Sequence, residues 1–157
     1  MTAANPPAVS RAGKYLTFVL GAEQYGVEII KVREILGVLP ITPMPQTPHY
    51  VKGVINLRGK VIPVVDTRTK FGMPEKGTTS ETCIIVVDVD GKSIGLLVDT
   101  VKEVLNIAEE QIEDPPSFGT GADTDFVRGL GKIGDQVIIL LGIDRVLSSL
   151  EATVVPM

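Results

Sequence analysis

Cysteine and histidine occur once each among the 157 residues, and tryptophan not at all. A single thiol, Cys83, excludes an intramolecular disulfide and points to a reducing compartment. It lies in the apolar run TCIIVVDV and reads as a small buried hydrophobe. One histidine, His49, with one distant cysteine cannot assemble a zinc site. Aromatic residues make up only 4%, and the net charge is −4. Neither a stacking platform nor a basic footprint for nucleic acid is present, so no nucleic-acid partner is expected. No apolar run reaches the roughly 18 residues that a membrane helix needs. The opening MTAANPPAVSRAGK lacks the apolar centre of a signal peptide, so a cytoplasmic protein without direct membrane insertion is expected.

What is present is apolar content of 44%, enough for one compact domain or for two small lobes sharing a core. The most telling stretch is VKGVINLRGKVIPVVD, Val51 to Asp66. Val54, Ile55 and Leu57, then Val61, Ile62, Val64 and Val65, are apolar and mostly β-branched, which predicts two strands. Between them Gly59 gives the backbone freedom of a tight turn, and Arg58 is displayed on it. A planar, permanently charged guanidinium at the edge of an apolar surface suits docking to a partner's carboxylate or carbonyls better than it suits chemistry. A merely solvated turn residue is the alternative reading of Arg58.

The chain nearly repeats itself. YLTFVL, the turn GAEQ, YGVEII and KVREIL are echoed by CIIVVDV, the turn DGK, SIGLLVD and TVKEVL at a shift of 69 residues. Gly26 then matches Gly95, Val32 matches Val101, Glu34 matches Glu103 and Leu36 matches Leu105. GVINLRGKVIPVV and GLGKIGDQVIILL align at a shift of 76, pairing Gly53 with Gly129, Val61 with Val137 and Ile62 with Ile138. A glycine recurring inside a strand marks a bulge or a close backbone approach, a geometric demand rather than a habit of composition. Two similar lobes of about five short strands follow, with helical turns at TRTKF and IDRVLSSL. Residues 1–13 read as a flexible tail. Pro40, Pro43, Pro45 and Pro48 predict a stiff, extended strut, and EDPPSFGTGADTD is the longest structureless stretch.

Several patterns invite a catalytic reading and fail it. GLGKIG, Gly129 to Gly134, satisfies G-x-G-x-x-G, but a strand pattern follows where a dinucleotide site needs a helix. Gly53 to Lys60 resembles a phosphate loop with its glycines one residue too far apart and Val61 at the Ser/Thr position. Asp66, Asp88, Asp90 and Asp99 fall at strand ends or turns, where aspartate caps backbone N–H groups. No serine or cysteine stands beside a base in a supporting signature. An enzyme is not expected, nor any catalytic residue, cofactor or metal.

Taken together, FVLGAEQYGVEIIKVREIL, NLRGKVIPVVD, IIVVDVDGKSIGLLVDTVKEVL and RGLGKIGDQVIILLGIDRVL resemble, in order, the blocks of the CheW family of bacterial chemotaxis coupling proteins. The resemblance covers about residues 14–150. It implies a mainly β fold of two five-stranded, SH3-like β-barrels packed around a shared core, with a few short helices. The expected boundaries are a first lobe over 14–80, a second over 81–142, a closing helix over 143–150 and a C-terminal tail over 151–157. It further implies a non-enzymatic scaffold that joins the cytoplasmic hairpin tips of chemoreceptors to the regulatory domain of the histidine kinase CheA, at membrane-associated receptor arrays. The positions matching the family's receptor surface are Val32, Glu34, Arg58, Cys83 and Val104, with Asn56, Leu57 and Gly59 supporting the hairpin. For the kinase only regions are implied: the exposed edge of the second barrel, with the edge of the first as a second interface that would close rings. A small double-barrel module that binds protein or peptide outside chemotaxis is the competing reading.

Overall fold

The computed structural model describes residues 10–115 and 126–147. Most of the expected N-terminal tail, most of the 113–125 loop, the end of the closing helix and the C-terminal tail lie outside them. Strands β1 (Gly13–Leu20) and β2 (Glu23–Glu28) form a hairpin, and a 3-10 turn over Ile29–Lys31 leads into β3 (Val32–Gly37). A second hairpin, β4 (Val51–Leu57) and β5 (Lys60–Asp66), runs into the short helix α1 (Thr67–Lys70). Then come β6 (Cys83–Val89), β7 (Lys92–Val98), β8 (Thr100–Ile107), a 3-10 turn over Glu109–Gln111 and the two-residue β9 (Ile112–Glu113). The described chain ends with β10 (Val127–Ile133), β11 (Gln136–Leu141) and α2 (Ile143–Val146).

Strand pairing does not follow the chain's two halves. One sheet has the order β8-β1-β2-β11-β10-β9 and the other β3-β6-β7-β5-β4. Each half therefore gives strands to both sheets, and contiguous lobes of 14–80 and 81–142 do not describe the hydrogen bonding. The repeat read in the sequence is kept through this exchange. Val32 faces Val87 on β6, and its counterpart Val101 faces Phe18 on β1. Both ladders slip by one residue at the same place, between Val32 and Glu34 and between Phe18 and Thr17. Val64 lies beside Gly95 in parallel pairing, and Leu140 lies beside Gly26 in the same way. Bulges fall between Val51 and Gly53 and between Val127 and Gly129. The aligned glycines mark these bulges and close approaches, as their recurrence predicts. A Cβ on Gly53 would fall 2.2 Å from the Thr42 carbonyl oxygen, and one on Gly95 would fall 2.8 Å from Ile84 Cγ2.

Three apolar cores result. Ile55, Ile62, Val64, Ile84 and Val86 fill the five-stranded barrel, and Tyr15, Ile107, Ile112, Ile138 and Leu140 fill the other. Between the sheets lies a shared core that includes Leu16, Phe18, Val27, Val65, Ile85, Val87, Leu96 and Leu141. Strand β6 thus points Ile84 and Val86 into a barrel and Ile85 and Val87 into the shared core, which is why CIIVV is apolar without alternation. Among the described residues four aromatic side chains stack in a column, Phe18–Tyr25–Phe71–Phe126, with ring centroids 5.7, 5.5 and 5.0 Å apart.

One local expectation changes and another holds. The proline-rich segment is not a straight strut: Gln46 adopts a left-handed φ of 59°, and Val51 N–H donates to the Pro48 carbonyl at 2.9 Å, so the chain turns twice before β4. The strand-end aspartates do cap. Asp66 accepts from Thr69 N–H at 3.4 Å, Asp88 from Gly91 N–H at 2.8 Å and Asp99 from Gly21 N–H at 2.8 Å.

Candidate docking surface

The β4–β5 turn has two central residues, Arg58 with φ 52° and Gly59 with φ 86°. Two consecutive left-handed residues make the primed turn whose twist matches the flanking strands. Asn56 Oδ1 accepts from Gly59 N–H at 2.8 Å and braces the loop, while Leu57 anchors it in the barrel core. Arginine takes the place that asparagine or aspartate usually fills, at a conformational cost of the order of 1 kcal/mol. That cost is understandable where the side chain is needed.

Arg58 does not stand free. Its Nη1 and Nη2 donate to Glu34 Oε2 and Oε1 at 3.0 and 2.6 Å, a fork-to-fork pair. Glu34 belongs to β3 and Arg58 to the turn after β4, the two opposite edges of the five-stranded sheet. The pair therefore joins the edges of a curled sheet, above Leu36 and Leu57 that line its interior. Hydrogen bonding from Arg58 holds the Glu34 carboxyl below the usual carboxylate range. The guanidinium remains largely exposed, with a side-chain accessibility of 69%.

The other expected residues are distributed unevenly. Val32 lies on the same strand as Glu34 but on the other face, because the bulge at Arg33 reverses the alternation: Val32 packs on the shared core beside Val87, and Glu34 sits opposite Val86. Cys83 opens β6 opposite Gly37 and is half-buried against the shared core, with its Sγ 3.3 Å from the Glu81 carbonyl oxygen, so it is more open than the apolar run predicts. Val104 is exposed on β8, opposite Leu16 in the other sheet. The structure thus brings Glu34 and Arg58 into contact, sets Val32 and Cys83 behind them, and puts Val104 on a separate edge strand.

Two pairs of exposed apolar residues are related by the repeat, and of these four the sequence reading singled out only Val104 for the surface. Ile35 and Val104 are both exposed and stand 69 residues apart; Val61 and Val137 are both exposed and stand 76 apart. Exposure is not shared throughout the repeat: Ile29 and Val38 are exposed, while their counterparts at the shift of 69, Val98 and Ile107, are buried. Among the described residues no group of His, Cys, Asp and Glu is arranged to hold a metal ion, and no helix is long and apolar enough to cross a membrane.

Comparison with known proteins agrees with this architecture. The model of the CheW-like domain matches residues 14–151. The chemotaxis protein CheW of Klebsiella aerogenes is 39% identical over 142 residues, covering 90% of this chain and 86% of that one. CheW of Rhizobium meliloti is 38% identical over 151 residues, covering 91% and 97%. The crystal structure of the scaffolding protein TtCheW from Thermoanaerobacter tengcongensis superposes with a TM-score of 0.80 at 40% identity, covering 87% of this chain and 92% of that one. The chain belongs to the CheW-like family, a family of non-catalytic scaffolds.

Proposed function

We propose that this chemotaxis adaptor joins the cytoplasmic hairpin tips of chemoreceptors to the regulatory domain of the histidine kinase CheA, and so lets receptors control kinase autophosphorylation. It acts in the cytoplasm, recruited to membrane-associated receptor arrays. The proposed receptor face comprises Val32, Glu34, Arg58, Cys83 and Val104, held by Asn56, Leu57 and Gly59. The observation that carries this reading is the exposed, fixed Glu34–Arg58 pair on a braced turn: a rigid polar rim beside exposed Ile35. A helical hairpin offers an apolar stripe with polar flanks, which such a rim fits.

Because the guanidinium is already paired, its remaining N–H groups are oriented before any partner arrives, and less side-chain entropy is lost on binding. The same pairing predicts recognition that depends more on shape than on net charge. Titration of the purified protein with a CheA regulatory domain and, separately, with a receptor-tip fragment tests the proposal. Binding to both, with Arg58→Glu impaired only toward the receptor, supports it. Binding to neither overturns it and leaves a protein-binding module outside chemotaxis.

A further inference from the structure

The chain crosses between the two sheets at two places related by the repeat. It passes from β2 to β3 through the 3-10 turn Ile29–Lys31, and from β7 to β8 through Asp99 alone. Each crossover is tied by an ion pair to the short helix that follows a hairpin. Asp99 pairs with Arg68 of α1, and Lys31 pairs with Asp144 of α2. Arg68 and Asp144 are counterparts at the shift of 76, and Lys31 lies one position beyond the counterpart of Asp99 at the shift of 69. The same tie is made twice with its charges exchanged.

The two ties differ in strength. Arg68 Nε and Nη2 reach Asp99 Oδ1 and Oδ2 at 2.8 and 2.6 Å, with side chains only 14% and 12% exposed. Asp99 also accepts from Gly21 N–H, and Arg68 Nη1 donates to the Pro74 carbonyl at 3.0 Å. Three loops are thereby locked at one residue. Lys31 Nζ makes a single contact with Asp144 Oδ2 at 3.2 Å, with side chains 32% and 52% exposed. An exposed single-contact pair contributes little, whereas a desolvated fork-to-fork pair resists separation. Surface clefts also open on the Lys31 side. Two adjoining clefts of about 230 and 180 Å³ share Glu28 as a wall, and the exposed Ile30 lines the smaller of them.

From this asymmetry we infer that the β2–β3 crossover is a gate that opens locally while the β7–β8 crossover, clasped by Arg68 and Asp99, stays shut as the pivot. Opening at Lys31 frees the start of β3, the strand that carries Glu34. Its bearing on docking rests on the function proposed above; the gate itself does not, and its test needs no partner.

The repeat supplies an internal control, because Val32–Val87 and Val101–Phe18 are equivalent pairs next to the two crossovers. Amide hydrogen exchange on the full chain, read residue by residue, should show the amides around Val32–Val87 about tenfold or more less protected than those around Val101–Phe18. Lys31→Met should lower protection around Val32–Val87 by a further factor of about 2 to 5 and leave the other pair unchanged. Asp144→Asn removes the same tie from the other side and should reproduce the effect, which covers failure of either variant to fold. Equal protection at the two pairs in the wild type, or a loss shared by both in the variants, overturns the inference.

Discussion

Glu34 and Arg58, on opposite edges of one sheet and 24 residues apart in sequence, close that sheet with two parallel hydrogen bonds. The pair is exposed, so it orders the rim more than it stabilises the fold. Arg58→Glu sets a second carboxylate against Glu34. Its melting temperature should stay within a few degrees of wild type while receptor-tip binding falls roughly 5- to 150-fold. The double exchange Glu34→Arg with Arg58→Glu rebuilds the pair with reversed polarity. Calorimetric titration should find binding partly restored if the rim's shape is what the partner reads; a double variant as weak as the single one would assign recognition to the charge of Arg58 itself.

Asp99 is held below the usual carboxylate range, chiefly by hydrogen bonds from Arg68 and then by Gly21 N–H, against the opposing effect of burial. A depressed folded-state pKa contributes stability above the unfolded value near 3.9, and that stability is lost as pH falls through the folded pKa. Asp99→Asn removes the charge at every pH and leaves Arg68 without its partner. It should cost about 3 kcal/mol at pH 7. As pH falls through this depressed folded-state pKa wild-type Asp99 is protonated too, so the two stability curves should converge at the acid end. Denaturant titrations across pH check this; a constant gap at all pH values would show that packing, not charge, is lost.

Much of this fold is legible in the sequence, and the failures are instructive. The glycines of the repeat predicted bulges and close approaches at Gly26, Gly53, Gly95 and Gly129, because those contacts are local consequences of having no Cβ. The exchange of strands between sheets was not legible. Alignment says that β3 and β8 are equivalent, but each pairs with the hairpin of the other copy, and that choice is made by the shared core rather than by any local pattern. The candidate site was partly legible: NLRGK announced the turn, yet nothing in it names Glu34 as the partner of Arg58. The bulge at Arg33, which sends Val32 and Glu34 to opposite faces, carries no glycine or proline to mark it.

Gly53 and Gly129 occupy equivalent bulges, yet replacing them should not cost the same. Gly53 has φ 149°, and a Cβ there meets the backbone carbonyl of Thr42, which is held by its own ladder contacts with Val54. At Gly129 the two nearest atoms are the Ile112 Cγ2 methyl at 2.7 Å and Arg11 Nη1 at 3.2 Å, both on side chains that can shift, and the backbone Glu113 carbonyl oxygen stands off at 3.3 Å. Gly53→Ala should therefore destabilise by about 3 kcal/mol or more, and Gly129→Ala by about 1 to 2 kcal/mol. Thermal melts of the two variants decide the order; equal losses would mean that the Thr42 backbone gives way as readily as a side chain.

Val61 and Val137 stand at equivalent sites on β5 and β11, exposed on opposite sheets, and each lies next to the turn of its hairpin. Their exposure means that Val61→Lys and Val137→Lys should each leave stability within about 0.5 kcal/mol of wild type. They separate the two candidate kinase edges, because each introduces a solvated charge into one barrel's outer face and not into the other. With the kinase on the exposed edge of the second barrel, Val137→Lys weakens binding of the CheA regulatory domain by roughly tenfold or more while Val61→Lys leaves the one-to-one complex intact. The first barrel's edge enters only when complexes join into rings, so Val61→Lys should act on the size of larger assemblies, read by light scattering, and not on the affinity of the pair. The reverse pattern would move the kinase to the five-stranded barrel, and loss in both would require the two edges to be engaged at once.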